Sequence, residues 1–216
     1  MTLEDVVQKL RKQGEKAVRN GWTPEMTRGD ETYGLNFSAV KEVAEELRKD
    51  PVLADEMYAG SNHDLKVLAT YIDDPESYTR DELNKRSEQL YPSPFAEKFC
   101  RLVLANSEHA VHFIGEWIRC ESCEYRAYAY HTLAELAKKK NRLSDDFYAS
   151  CLDGIAENFH KEKPDVQQAM QTALAAISKR DAALSKKGKE TSEKIGAGRQ
   201  NGRQVRPEQT LRKATA

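Results

Sequence analysis

Nearly every stretch of this 216-residue chain repeats its apolar residues at the helical period, and none of useful length alternates at period two. The string HDLKVLATYI places Leu65, Leu68, Ala69 and Ile72 at i, i+3, i+4 and i+7, one stripe of a helix. DVQQAMQTALAAI does the same with Val166, Ala169, Met170, Ala173, Leu174 and Ile177. Start signals stand between such stretches: Thr79-Arg-Asp-Glu82 spells a capping box, Asn62 and Ser144 are capping residues, and Pro164 suits a first helical turn. Breaks fall near Gly21–Gly34, Asp50–Pro51, Gly60, Asp74–Pro75, Pro92–Pro94, Asn106, Cys120, Asn141 and Lys163. The pattern predicts about ten helices of roughly 10–18 residues joined by short connections. Short amphipathic helices with brief turns stack as antiparallel pairs, so the expected fold is all-α, an α-solenoid of about five such pairs. The repeats share a rhythm and no consensus.

The helical domain is expected over residues 1–195. From Gly196 the string GAGRQNGRQVRPEQTLRKATA has too few large apolar residues to pack, which predicts a flexible basic tail over residues 196–216. No run approaches the roughly 18 consecutive apolar residues of a membrane span, so no membrane role is expected. The charged, helix-periodic start MTLEDVVQKLRKQGEKAV is not a secretory signal, and four cysteines without such a signal fit free thiols in a reducing, cytoplasmic setting. The net charge of −1 hides an asymmetry. Residues 179–216 carry eleven Lys/Arg against four Asp/Glu, a net of +7, which leaves 23 against 31, a net of −8, for residues 1–178. A basic tail on an acidic body points to an anionic partner or to a solvated terminus.

The stretch SEHAVHFIGEWIRCESCEYRAYAYH, residues 107–131, is the one candidate for metal or redox chemistry. His109, His112, Cys120 and Cys123 are four ligand types that zinc accepts. The histidines, however, lie three apart on a helix that also carries Ala110, Phe113, Ile114 and Trp117, and no Gly-rich knuckle presents the cysteines. A thioredoxin-type pair needs its first cysteine at a helix N-terminus after a strand, and no strand precedes Cys120. Glu121 and Glu124 would oppose a thiolate. The plainer reading is a turn between helices with Ser122 or Glu121 near an N-cap, with Cys100 and Cys151 as small core residues. No metal and no other cofactor is expected.

Four strings resemble the DNA alkylation repair family, the AlkD-like proteins built from HEAT-like helical repeats: YGLNFSAVKEVAEEL (33–47), NHDLKVLATYIDDPESYTRDEL (62–83), EWIRCESCEYRAYAYHTLAELA (116–137) and DVQQAMQTALAAISKRD (165–181). The resemblance runs over roughly residues 33–195, and the Asp-Asp-Pro turn of the second string is its most specific part. It implies a solenoid whose basic face grips the backbone of double-stranded DNA, and in active members N-glycosidic release of N-alkylated purines. In that chemistry a carboxylate steadies the oxocarbenium-like sugar, indoles hold the cationic nucleotide and an Arg pins a phosphate.

Carried onto this chain, the family's Trp-x-x-x-Asp falls on Ser93 and Glu97 in YPSPFAEKFC, its Arg on Arg126, and its second Trp near Thr172. Glu97 is then the catalytic candidate. Arg126, Lys98, Arg101, Arg119, Lys179, Arg180, Lys186 and Lys187 are the DNA-binding candidates. Neither Trp22 nor Trp117 sits at an indole position. Read without the resemblance, Glu97 is a solvated surface acid, Arg126 a salt-bridging residue, and Tyr125, Tyr128 and Tyr130 are helix packing. The expected protein is a DNA-binding monomer. The rival reading, favoured by the acidic body, is a non-catalytic helical scaffold that binds a protein partner.

Overall fold

A computed structural model describes the backbone of residues 1–16, 24–27, 29–91, 93–139 and 143–204. The expectations that fall on Gly21, Trp22, Pro92, Asn141 and residues 205–216 lie outside the described residues. The helices are α1 (Leu3–Lys16), α2 (Pro24–Thr27), α3 (Phe37–Glu45), α4 (Pro51–Ala59), α5 (His63–Ile72), α6 (Arg80–Ser87), α7 (Pro94–Lys98), α8 (Ala110–Trp117), α9 (Cys123–Lys138), α10 (Asp145–Asn158), α11 (Pro164–Ile177) and α12 (Ala182–Gln204). Among the described residues no strand forms, only one isolated bridge between Glu31 and Asn62. The fold is all-α, as the periodicity requires.

The helices start where capping chemistry is written. Asn62 Oδ1 accepts from the Leu65 amide at 3.1 Å, and Ser144 Oγ accepts from Phe147 at 3.2 Å. Thr79 and Glu82 close a reciprocal capping box, with Thr79 N–H donating to Glu82 at 2.8 Å and Glu82 N–H donating to Thr79 Oγ1 at 3.3 Å. Pro164 stands in the first turn of α11. Each cap satisfies amides that a helix start otherwise leaves bare, typically worth about 1 kcal/mol.

Contacts divide the chain into two compact units, Met1–Gly115 and Glu116–Ala216. Within each, a helix packs on the helix two places along the chain: α1 on α3, α3 on α5 and α5 on α7 in the first, α9 on α11 and α10 on α12 in the second. That alternation is what stacked helix pairs produce, equivalent helices lying beside one another.

The first unit is built on α5, whose Val67, Leu68 and Ala69 are fully buried. The Asp-Asp-Pro turn after it has a physical purpose. Asp73 is fully buried at the end of α5 and accepts hydrogen bonds from the hydroxyls of Tyr58 (2.9 Å) and Tyr78. Arg86 stacks over both rings, 4.8 and 4.2 Å from their centroids, and pairs with Asp55. Burial raises the Asp73 carboxyl above its ordinary range, and the two phenol donors work against that shift. The Asp73 carboxylate thus ties α4 to the turn, and Arg86 brings in α6 through the two rings. At the other end of α5, His63 is buried beside Tyr91, its Nδ1 3.1 Å from the hydroxyl, and desolvation lowers its pKa to about 4.

The second unit centres on α9 and α11. Leu133 of α9, Tyr148, Leu152 and Ile155 of α10, and Val166, Ala169, Met170 and Ala173 of α11 are fully buried. α12 differs from the expected tail: it runs as one helix across residue 196. The reason is a heptad-like stripe, Leu184, Gly188, Thr191, Ile195 and Gly198, that is small as much as apolar. A Cβ at Gly188 would fall 1.9 Å from Ser178 Oγ, and one at Gly198 would fall 2.4 Å from the His160 ring. His160 Nε2 donates to the Ile195 carbonyl at 2.9 Å. Close approach, not bulk, seats this helix.

Candidate nucleic-acid interface

Where α9 ends beside α11, the second unit carries an open groove of about 790 Å³. Its cations are Lys138 and Lys139 from the end of α9 and Lys179 and Arg180 from the turn after α11. Gln168, Gln171 and Thr172 line it with polar groups, and Ala137, Ala175 and Ala176 supply apolar surface. Among the described residues, none of those lining it is acidic.

The helix periods explain this grouping. Val166, Ala169, Met170 and Ala173 turn inward, so Gln168, Gln171, Thr172 and Ala175, at i, i+3, i+4 and i+7, face out along one stripe and are exposed. The C-terminus of α9 presents unsatisfied carbonyls, and Arg180 covers them: its Nη1 donates to the Ala137 and Lys139 carbonyls at 2.8 and 2.9 Å. The guanidinium also lies 4.1 Å from the Tyr148 ring centroid. Arg180 is therefore a fixed wall, while the neighbouring Lys179 side chain is exposed. Lys138 pairs with Glu135 at 2.8 Å. Partial burial depresses the Lys139 pKa, outweighing the opposite pull of Glu135.

The other sequence-derived candidates are scattered. Glu97, in the first turn of α7, pairs with Arg101 one turn on at 3.0 Å, both partly exposed. Lys98 lies 4.2 Å above the Phe37 ring and 5.7 Å from that of Tyr71. Ser93 is the N-cap of α7, its hydroxyl accepting from Ala96 N–H at 3.3 Å, and Thr172 donates to the Gln168 carbonyl at 2.9 Å. Arg119 is exposed after α8. On α12, Lys186 is exposed and Lys187 pairs with Asp153 at 2.7 Å.

Four of the five N–H groups of Arg126 are engaged. Its Nε and Nη2 donate to the two Glu162 oxygens at 2.8 Å each, and its Nη1 donates to the Cys120 and Glu121 carbonyls at 2.8 Å. Only 20% of its side chain and 11% of that of Glu162 reach solvent. This fork-on-fork pair, which raises the guanidinium pKa further, pins the loop before α9 to the start of α11. A phosphate would have to displace a carboxylate already in the ideal bidentate position.

The loop Arg126 holds is the Cys120–Cys123 turn. Ser122 caps α9, accepting from Tyr125 N–H at 3.4 Å, and all four cysteines are free thiols. Trp117, Tyr125 and Tyr128 meet edge to face, with centroids 5.2 to 6.3 Å apart. Burial pushes the Cys151 thiol up to about 11, and Cys100 is fully buried. Among the described residues, no group of three or more His, Cys, Asp or Glu is placed to hold a metal ion.

Of the sequence-derived candidates, Lys179 and Arg180 line the groove; Lys138, Lys139, Gln168 and Gln171 line it too and were not among those candidates. The signal was present in the polar stripe of α11 and in the Lys138-Lys139 run that ends α9. What was absent was the knowledge that these two ends lie side by side.

Comparison with known proteins gives a family match and a fold match. The family model described as DNA alkylation repair enzyme matches residues 6–188. A solved structure described as one of a new family of proteins related to the HEAT-like repeat DNA glycosylases, with affinity for branched DNA structures, superposes with a TM-score of 0.77. It is 19% identical and the match covers 90% of this chain and 83% of that one. The helical-repeat class expected from periodicity is the class of that structure. No curated protein matches the chain.

Proposed function

The chain belongs to the DNA alkylation repair enzyme family, and from that premise we propose that it binds DNA through the sugar–phosphate backbone, with the basic groove of its second unit as the contact. The observation that carries this reading is the composition of the groove. A chain with more Asp and Glu than Lys and Arg places four cations around one concavity, with no carboxylate among its described lining residues and Glu135 paired with Lys138 from beside it. A polyanion gains from such segregation by releasing its condensed counterions as lysines replace them. A protein-docking surface gains from it only where the partner is itself acidic. The affinity for branched DNA described for the structural neighbour supports a preference for DNA form over sequence, since the groove offers phosphate contacts that carry no base information.

The same reading assigns no base excision to the chain. Glu97, the only carboxylate the family resemblance places for that role, is a partly exposed residue held by Arg101. Ser93 and Thr172, at the positions matched to indoles, spend their hydroxyls on a helix cap and a backbone carbonyl. Release of free base from methylated DNA is the test. The expected result is release at the uncatalysed rate, identical for the wild type and Glu97→Gln. Faster release by the wild type that falls with Glu97→Gln contradicts this reading and restores the glycosylase assignment.

A further inference from the structure

The groove carries more than a phosphate contact needs. Along one wall the side-chain amides of Gln168 and Gln171 point to a chemistry beyond charge: each offers two N–H donors and a carbonyl acceptor, and neither has a partner among the described residues. Both side chains are exposed and sit one turn apart, so neither supports the core. Beside them the exposed Ala175 presents an apolar methyl, with the buried Ala137 and Ala176 beneath it. The cations Lys139, Lys179 and Arg180 complete the lining. The volume, about 790 Å³, gives an open concavity room for one nucleotide. Amides for hydrogen-bonding edges, an apolar surface for a flat ring and cations for a phosphate are the three recognition elements of a nucleotide.

Resting on the backbone-binding reading, we propose that this groove holds an unpaired nucleotide of a DNA strand, the kind exposed at a branch or flap. In a paired duplex the Watson–Crick edges are occupied and the base faces are stacked, so only the phosphate could use the groove. An unpaired nucleotide presents edge, face and phosphate together, at the small cost of leaving a stack already broken. Gln168 and Gln171 meet the base edge, Ala175 meets its face, and Lys139 and Lys179 meet the phosphate. Lys139, partly stripped of water, regains stabilisation of its charge from the anion. Two amides without a fixed hydrogen-bond pattern accept any of the bases, which gives preference for structure without preference for sequence.

The experiment is fluorescence anisotropy of the full chain with two DNAs of one sequence at the same salt, a fully paired duplex and the same duplex with a short unpaired flap. The expected wild-type result is about tenfold tighter binding to the flapped DNA, the equivalent of one or two added hydrogen bonds. The double variant Gln168→Ala/Gln171→Ala is expected to bring the ratio of the two affinities to about one, while Lys179→Ala lowers both affinities together. Equal wild-type affinities, or a ratio that the double variant leaves unchanged, overturn this inference and leave backbone binding standing. Absence of binding to either DNA overturns the backbone reading, and this inference with it.

Discussion

At the scale of single residues, the sharpest contrast is between Arg126 and Lys179. Family resemblance singles out Arg126 for a phosphate, yet it is locked by Glu162 and two carbonyls, whereas Lys179, one of several basic residues near the C-terminus, is exposed on the groove. The geometry assigns Arg126 to the fold. Arg126→Ala would leave the mostly buried Glu162 carboxylate and two carbonyls without their donors, and is expected to cost about 2–4 kcal/mol of stability. The check is denaturant unfolding together with DNA affinity measured on the folded variant below its unfolding range. A large fall in stability with an unchanged dependence of affinity on salt fits the clamp. Full stability with a shallower salt dependence would mean that Arg126 does contact phosphate. Sequence could name the residue and not its partner, because Glu162 lies 36 positions away and no local pattern links the two.

Helices were the most legible level. Asn62, Thr79, Ser144 and Pro164 start the helices they were expected to start, because a cap is a contact between residues three apart and is written in the chain. The continuation of α12 past residue 196 was hidden because the close contact there is made by a glycine, Gly198, and glycine weakens an isolated helix while permitting a close one. The two roles separate by mutation. At Gly188 an added Cβ meets Ser178, whose hydroxyl already donates to the Leu174 carbonyl at 2.7 Å, so Gly188→Ala is expected to destabilise by about 1–3 kcal/mol. At Gly196 nothing lies within 4 Å of the added atom, so Gly196→Ala is expected to be neutral or to stabilise by up to about 1 kcal/mol. Thermal unfolding of the two variants checks the pair. Equal and favourable shifts would mean that α12 does not pack against Ser178 as described.

For the whole molecule, charge distribution matters more than net charge. A net of −1 argues against a nucleic-acid partner only if the charges are mixed evenly, and they are not: residues 179–216 hold a net of +7. Composition revealed that imbalance along the chain, but not that α9 would bring Lys138 and Lys139 to the same groove as Lys179 and Arg180, since that juxtaposition arises only when the helices stack. The candidate site was therefore half legible, its C-terminal cations visible and its α9 cations and amides not. The measurement that bears most directly on the central claim is the salt dependence of DNA affinity for the wild type and for Lys139→Ala/Lys179→Ala. Each lysine on a phosphate contributes a slope of about −0.9 in log affinity against log salt. The account predicts binding that weakens steeply with salt and a slope shallower by roughly two in the double variant. No duplex binding at low salt, or a slope that both substitutions leave unchanged, would contradict it.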